Sequence, residues 1–183
     1  MTLTTYTARA ASEADFVAFW ERQYNYPLEH LYTDNIGQPL TADRAHQLFE
    51  WKNGYRLSAL KRSSVEQNYI ARIQELNALP QNTDAAEYLA RFALGGAIWR
   101  IFWLHCWQHN RFPIYDQHVH RAMVFIEQQR LEEIPTANAD KVQQYLQRYL
   151  PFHQRFQHLN QRSVDKSLWF YGKFLKETRF PLL

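Results

Sequence analysis

The run from Ala97 to about His109, AIWRIFWLHCWQH, is apolar on nearly every face of a helix, through Ile98, Trp99, Ile101, Phe102, Leu104 and Trp107. A helix of that kind cannot lie on a surface. Other elements must enclose it, so it is expected at the centre of whatever the chain builds. The flanking segments supply such elements, because their apolar residues recur at helical spacing and show no strand alternation.

Ser12, with Asp15 three residues on, reads as the start of a first helix with Phe16, Phe19 and Trp20 on one face. Leu40-Thr41 opens a second helix burying Ala45, Leu48, Phe49 and Trp51, and Asn53-Gly54 ends it in a left-handed turn. Ser63 or Ser64 is expected to cap a third helix carrying Tyr69, Ile70, Ile73 and Leu76, and Thr83 a fourth with Tyr88, Leu89 and Phe92 inside. After the central helix, one runs from Asp116 to about Gln129, two more fit 138–150 and 152–160, and Ser163 caps the last, with Leu168, Trp169, Tyr171 and Leu175. The reading is a single all-α domain over residues 1–183, two helical lobes around a cleft.

Composition narrows the class. Hydrophobic residues make up 46% and charged residues 21%, which suits a packed core rather than a disordered chain. A single cysteine, Cys106, rules out an internal disulfide and a cysteine-ligated cluster. No signal-like or membrane-spanning stretch is read, so the expectation is a cytoplasmic protein without a membrane partner. Residues 1–90 hold 8 Lys/Arg against 11 Asp/Glu, whereas residues 91–183 hold 13 against 7, so the second half is the basic one, as a phosphate-facing surface would be.

That half also holds Gly95-Gly96 before the central helix, then a short loop, then Asp116 at a helix start. Glycines let amides approach a phosphate at a helix N-terminus, here those of the turn and of Ala97 and Ile98. They serve equally as a plain helix-ending turn. Asp116 is well placed as an N-cap, worth ~1 kcal/mol. A carboxylate held that way is also fixed and ionised, as chemistry at an electron-poor sugar carbon requires.

The segment of about residues 86–128 resembles the helix-hairpin-helix DNA glycosylase superfamily, in particular its 8-oxoguanine-glycosylase-like bacterial branch. The resemblance is carried by Gly95-Gly96, the interval of 20 positions from Gly96 to Asp116, and the motif residues Tyr115, Asp116, His118, Val119 and Arg121. FEWKNG at 49–54 and RSVDKSLWFYGK at 162–173 look like the same branch. The resemblance implies a DNA-glycosylase-like fold that binds DNA without a cofactor. Its function would be base-excision repair, hydrolysing the N-glycosidic bond of a damaged base, an oxidised purine among the candidates. Asp116 would be catalytic, and Gly95, Gly96, Ala97, Ile98, His118 and Arg121 would face DNA phosphates. The glycines here are adjacent rather than separated, and Ile98 stands where strand-cleaving members carry lysine, which argues against lyase activity.

Trp51, Trp99 and Trp103 are candidate base-pocket residues, with core packing as the alternative. Lys52 and Lys61 could replace the missing hairpin lysine if either enters the pocket. A zinc site at His105/His109 or at His118/His120 is considered and set aside, since the second pair faces two ways on a helix. The protein is expected to be a monomer. The rival functional reading is a non-catalytic helix-hairpin-helix module that binds DNA or a protein, and a third is a helical protein with no nucleic-acid affinity.

Overall fold

A computed structural model describes residues 10–178, and among them every regular element is helical. The elements are α1 (Glu13–Glu21), α2 (Glu29–Thr33), α3 (Ala42–Asn53), α4 (Ala59–Asn68), α5 (Ile73–Asn77), α6 (Ala85–Arg91), α7 (Ala97–Trp107), α8 (Gln117–Gln128), α9 (Asn138–Gln144), α10 (Leu150–Gln154) and α11 (Gln161–Thr178). A 3₁₀ turn, Ile70–Arg72, precedes α5, and a π-helical turn, Tyr145–Tyr149, joins α9 to α10.

α7 is the hub. Ile101, Phe102, Trp103 and Leu104 are fully buried, and one contiguous apolar cluster runs through them from Val17 on α1 to Leu168 on α11. Each fully buried residue of this size contributes about 1.5–3 kcal/mol of hydrophobic stabilisation. Trp103 lies in that core against Phe49 and Tyr69, at 5.8 Å from each ring. Among the described residues no helix is long and apolar enough to cross a membrane.

Local signals set several boundaries. Ser12 Oγ accepts from the Asp15 amide and donates to the Asp15 carboxylate, a reciprocal cap. Thr41 caps α3, and Gly54 ends it at φ 87°. Other expectations need correction. Ser58, not Ser63 or Ser64, caps α4, and Tyr69 leaves helical geometry, so the apolar stripe through Ile73 belongs to three short pieces. Asp84 caps α6 while Thr83 is buried, and Asn160 accepts from the Ser163 amide to start α11. Phe19 is 47% exposed rather than on the inner face. α2 is an additional short helix between the first two helices expected from the sequence. The gap expected near residue 151 is instead a continuous helical path. Pro151 has no N–H to donate and its ring crowds the carbonyl of residue 147, so the widened turn before it accommodates both.

The pairing of α8 with α11 positions the site. Gly172 lies so close to α8 that a Cβ there would sit 1.9 Å from the His118 carbonyl oxygen. Arg121, 1% exposed, reaches across the same seam. It donates to the Gly172 carbonyl at 3.0 Å and to both oxygens of Glu133 at 2.9 and 2.8 Å.

Candidate active site

Asp116 is delivered by a buried approach: Ile114 and Tyr115 are anchored in the core just before it. Its backbone is extended, and its side chain turns back over the first turn of α8. Oδ1 accepts from the amides of His118 at 2.8 Å and Val119 at 3.2 Å, two donors that the helix itself leaves without partners. Oδ2 accepts from Lys52 Nζ at 2.9 Å. Lys52 comes from the last turn of α3. The pair is nearly dry, with side chains 6% and 16% exposed for Lys52 and Asp116. Burial works to raise the Asp116 pKa, but the charges of Lys52 and His118, the Lys52 hydrogen bond and the Val119 amide outweigh it, and the carboxyl is held below its usual range.

The pair lies in a cleft lined by Tyr24, Tyr26, Trp51 and Trp169 as aromatic walls, Ile114 and Val119 as apolar floor, and Arg162 and Asp165 from α11. The volume open to water centres is about 40 Å³, room for a few water molecules. Glu29 organises one wall. It accepts from Tyr24 Oη at 2.7 Å, from Trp51 Nε1 at 3.2 Å, and from Arg162 Nη2 on both oxygens at 2.7 Å. Arg162 in turn stacks 4.2 Å over the Tyr32 ring and 5.2 Å over Trp51. Burial raises the Glu29 pKa, but Arg162, Tyr24 and Lys166 reverse it to a net lowering, so the wall keeps a fixed ion pair. The arrangement can stabilise positive charge developing beside Asp116, or take a proton from a water held there.

Of the other candidate residues, Trp51 lines this cleft. Trp103 is core, and Trp99 is half-buried with its ring 5.2 Å from Phe49, outside the cleft lining. Lys52 enters the cleft. Lys61 does not: its Nζ donates to Asn53 Oδ1 at 2.6 Å. The expectation that Arg121 meets a DNA phosphate is overturned, because its guanidinium is enclosed between Glu133 and the Gly172 carbonyl. His118 is also poorly suited to that role. Its ring packs 5.2 Å from Trp169, and burial lowers its pKa, only partly countered by Asp116, so the imidazole is neutral near pH 7.

The hairpin joins α6 to α7. Gly95 has φ +86°, and a Cβ there would stand 2.4 Å from Tyr69 Oη, so both conformation and space require glycine. Gly96 occupies the N-cap position without a side-chain cap, but the Ala97 amide donates to Asn138 Oδ1 at 3.1 Å. That amide, expected to face a phosphate, is therefore already occupied by a side chain of the protein. Ile98 packs half-buried against the core. Arg100, on the first turns of α7, donates to the Leu89 and Phe92 carbonyls and closes the end of α6. Gly95, Gly96, Ala97 and Ile98 lie outside the cleft lining, so the hairpin does not share a wall with Asp116.

The histidine pairs have other occupations. The Phe112 carbonyl can only accept, so His105 Nδ1 carries the proton and donates to it at 2.7 Å, and Tyr32 Oη donates to His105 Nε2 at 2.7 Å. His120 Nδ1 lies 2.8 Å from Tyr115 Oη. Among the described residues no group of three or more His, Cys, Asp or Glu side chains is arranged to hold a metal ion.

Sequence reasoning missed Glu29, Arg162 and Asp165. The RSVDKSLW stretch was noticed without a role, and its charged residues at helical spacing with Trp169 were the available signal. Compared with protein-family models, with curated proteins and with solved structures, the chain shows no significant match.

Proposed function

We propose that this protein is a DNA-glycosylase-like hydrolase, in which two helical lobes, with α6 and α7 as a helix-hairpin-helix, present the cleft to a nucleotide extruded from duplex DNA. The observation that carries the reading is the Asp116 carboxylate, ionised, locked by two amides and Lys52, and set in an aromatic-walled slot. As the bond from C1′ to the base nitrogen breaks, its electron pair leaves with the base and positive charge grows on the sugar. Asp116 stabilises that charge. A water then bonds to C1′ and gives up a proton, with the carboxylate as its first acceptor and the departing base as its final one. An extruded base can stack on Trp51 or Trp169, but the slot must widen to admit it. The basic second half of the chain supplies attraction to phosphates, so binding should weaken steeply with salt.

The test is release of free base from a panel of lesion-bearing duplexes. Asp116→Asn should reduce release at least 100-fold while leaving the thermal transition cooperative. Equal release by variant and parent would overturn the mechanism. The competing reading, a non-catalytic DNA- or protein-binding module, has one observation in its favour: both Asp116 oxygens are already hydrogen-bonded within the protein, which a purely structural cap and ion pair would also show. Salt-sensitive DNA binding with no product from any lesion would favour it.

A further inference from the structure

Arg162, Lys166, Trp169, Lys173 and Lys176 follow one another on α11 at intervals of four, three, four and three, so they form one stripe along the helix. Arg162 and Trp169 line the cleft. Two of the lysines stand over its walls: Lys166 Nζ lies 5.5 Å above the Tyr24 ring and Lys173 Nζ 5.6 Å above the Trp169 ring. Their side chains are 23% and 43% exposed, and Lys176 is exposed. Nearby carboxylates do not use these lysines up. Glu29 Oε1 is 3.6 Å from Lys166 but is already held by Arg162, and Glu177 is 3.9 Å from Lys173; both separations are too long for a hydrogen bond. Among the described residues none of the three ammonium groups donates a hydrogen bond, whereas Lys52, Lys61 and Lys141 each donate one. The hairpin is the reverse case. Its Ala97 amide is taken by Asn138, and Arg100 is taken by the carbonyls that end α6.

We propose that this stripe, and not the hairpin, is the surface that grips the DNA backbone, with Lys166, Lys173 and Lys176 as its phosphate contacts. The assignment rests on the cleft's receiving an extruded nucleotide, and it adds where the strand that carries the nucleotide is held. An ammonium group has three donors and no acceptor, and it binds a phosphate as a point charge without demanding one geometry. Lys166 and Lys173 are two helical turns apart, about 10 Å along the axis, and Trp169 lies between them. A backbone laid along α11 therefore meets a cation on each side of the ring that walls the cleft. Lys176 extends the contact by one further turn. The same stripe is poorly made for a membrane surface. Its one apolar member, Trp169, is half-buried and packed against Tyr24, Tyr26 and His118, so no apolar face is left to enter lipid.

The probe is a fluorescent duplex with one central tetrahydrofuran abasic analogue, which has no base to release, titrated with the full chain from about 50 to about 200 mM salt. Replacing Lys166, Lys173 and Lys176 together by glutamine should lower the slope of log K against log salt by about 2.7, since each phosphate contact contributes about 0.9. Binding at about 0.15 M salt should fall at least tenfold. Arginine at the same three positions should keep both slope and affinity, which separates lost charge from lost structure. Lys141→Gln changes a lysine on α9, the helix that meets the hairpin through Asn138, and should leave the slope unaltered. An unchanged slope in the triple glutamine variant, a loss on Lys141→Gln of equal size, or no binding of the duplex would each overturn the proposal. So would polyglutamate or phosphatidylserine vesicles bound as tightly as the duplex. Failure here stays distinct from failure of the hydrolase reading. Base release that depends on Asp116, with a slope indifferent to the three lysines, sinks only the stripe. Lysine-dependent duplex binding without release from any lesion sustains the stripe and removes the hydrolysis.

Discussion

Replacing Gly172 by alanine sets two effects of known size against each other. In a helix interior alanine is favoured over glycine by about 1 kcal/mol, so on α11 alone the change should stabilise. The added Cβ, however, would lie 1.9 Å from the His118 carbonyl oxygen and 2.5 Å from its carbon, where ordinary contacts begin near 3.4 Å. The neighbour is backbone and cannot rotate away, so α11 must retreat from α8 by roughly the difference, 3.4 − 1.9 = 1.5 Å. Overpacking of that kind costs typically ~1–3 kcal/mol and sometimes more. Taking about 3 for a backbone clash and subtracting about 1 for propensity leaves a net loss of about 2 kcal/mol. For a chain of this length that lowers Tm by roughly 4–8 °C. The damage reaches the site as well, because the His118 amide is one of the two that hold Asp116. Thermal melts and urea titrations measure the first effect, and base release or nucleotide binding the second. A Gly172→Ala protein as stable as its parent would refute the packing argument, since propensity would then have won.

Two further outcomes follow from buried charge. Lys52→Met leaves the Asp116 carboxylate without its cation, and breaking a buried pair typically costs about 3–5 kcal/mol. The folded carboxyl pKa is normally lowered, so the stability it contributes is complete above the unfolded carboxylate pKa and lost as pH falls through the native value. The Lys52→Met defect should accordingly be large at pH 7, shrink only as the pH falls below the ordinary carboxyl value of 3.8, and be mostly restored by adding Asp116→Asn; a defect that stays constant through that acid range would count against the pair. His105 acts in the same direction but at higher pH: burial lowers its pKa from 6.5 to about 4, despite the opposing charge of Asp165. The unfolded chain takes up that proton first, so stability should decline as pH drops from 6.5 towards 4, by up to ~1.4 kcal/mol per unit and roughly 3 kcal/mol in total. His105→Gln should flatten that part of the urea-derived stability curve, and parallel curves would exclude His105 as the source.

What could be read from the chain in advance was local. Ser12, Thr41, Gly54 and Asp116 each announce a helix end through chemistry confined to a few residues, and each behaves accordingly. The enclosed position of α7 was legible because its apolar faces leave no side for water. Contacts between distant segments were not legible. Lys52 meets Asp116 across 64 positions, and nothing in either neighbourhood specifies the other. Arg121 read as a surface cation because arginine usually is one. Glu132 and Glu133, just beyond α8, were the only hint that its charge is neutralised internally. Glu29 escaped notice because α2 is a single short turn with no capping side chain.

The lining of the cleft is drawn from Tyr24 and Tyr26, from Trp51 and Lys52, from the 114–119 segment, and from α11 as far as Trp169, a sequence span of 145 positions. No excised fragment, the 86–128 segment included, can therefore carry the cavity. Its assembly draws on segments from most of the folded chain. Occupancy and folding are then thermodynamically linked. Whatever fills the cavity should raise the midpoint of the whole transition by RT ln(1 + [L]/Kd), so a melting screen against small molecules surveys its contents without knowledge of any reaction.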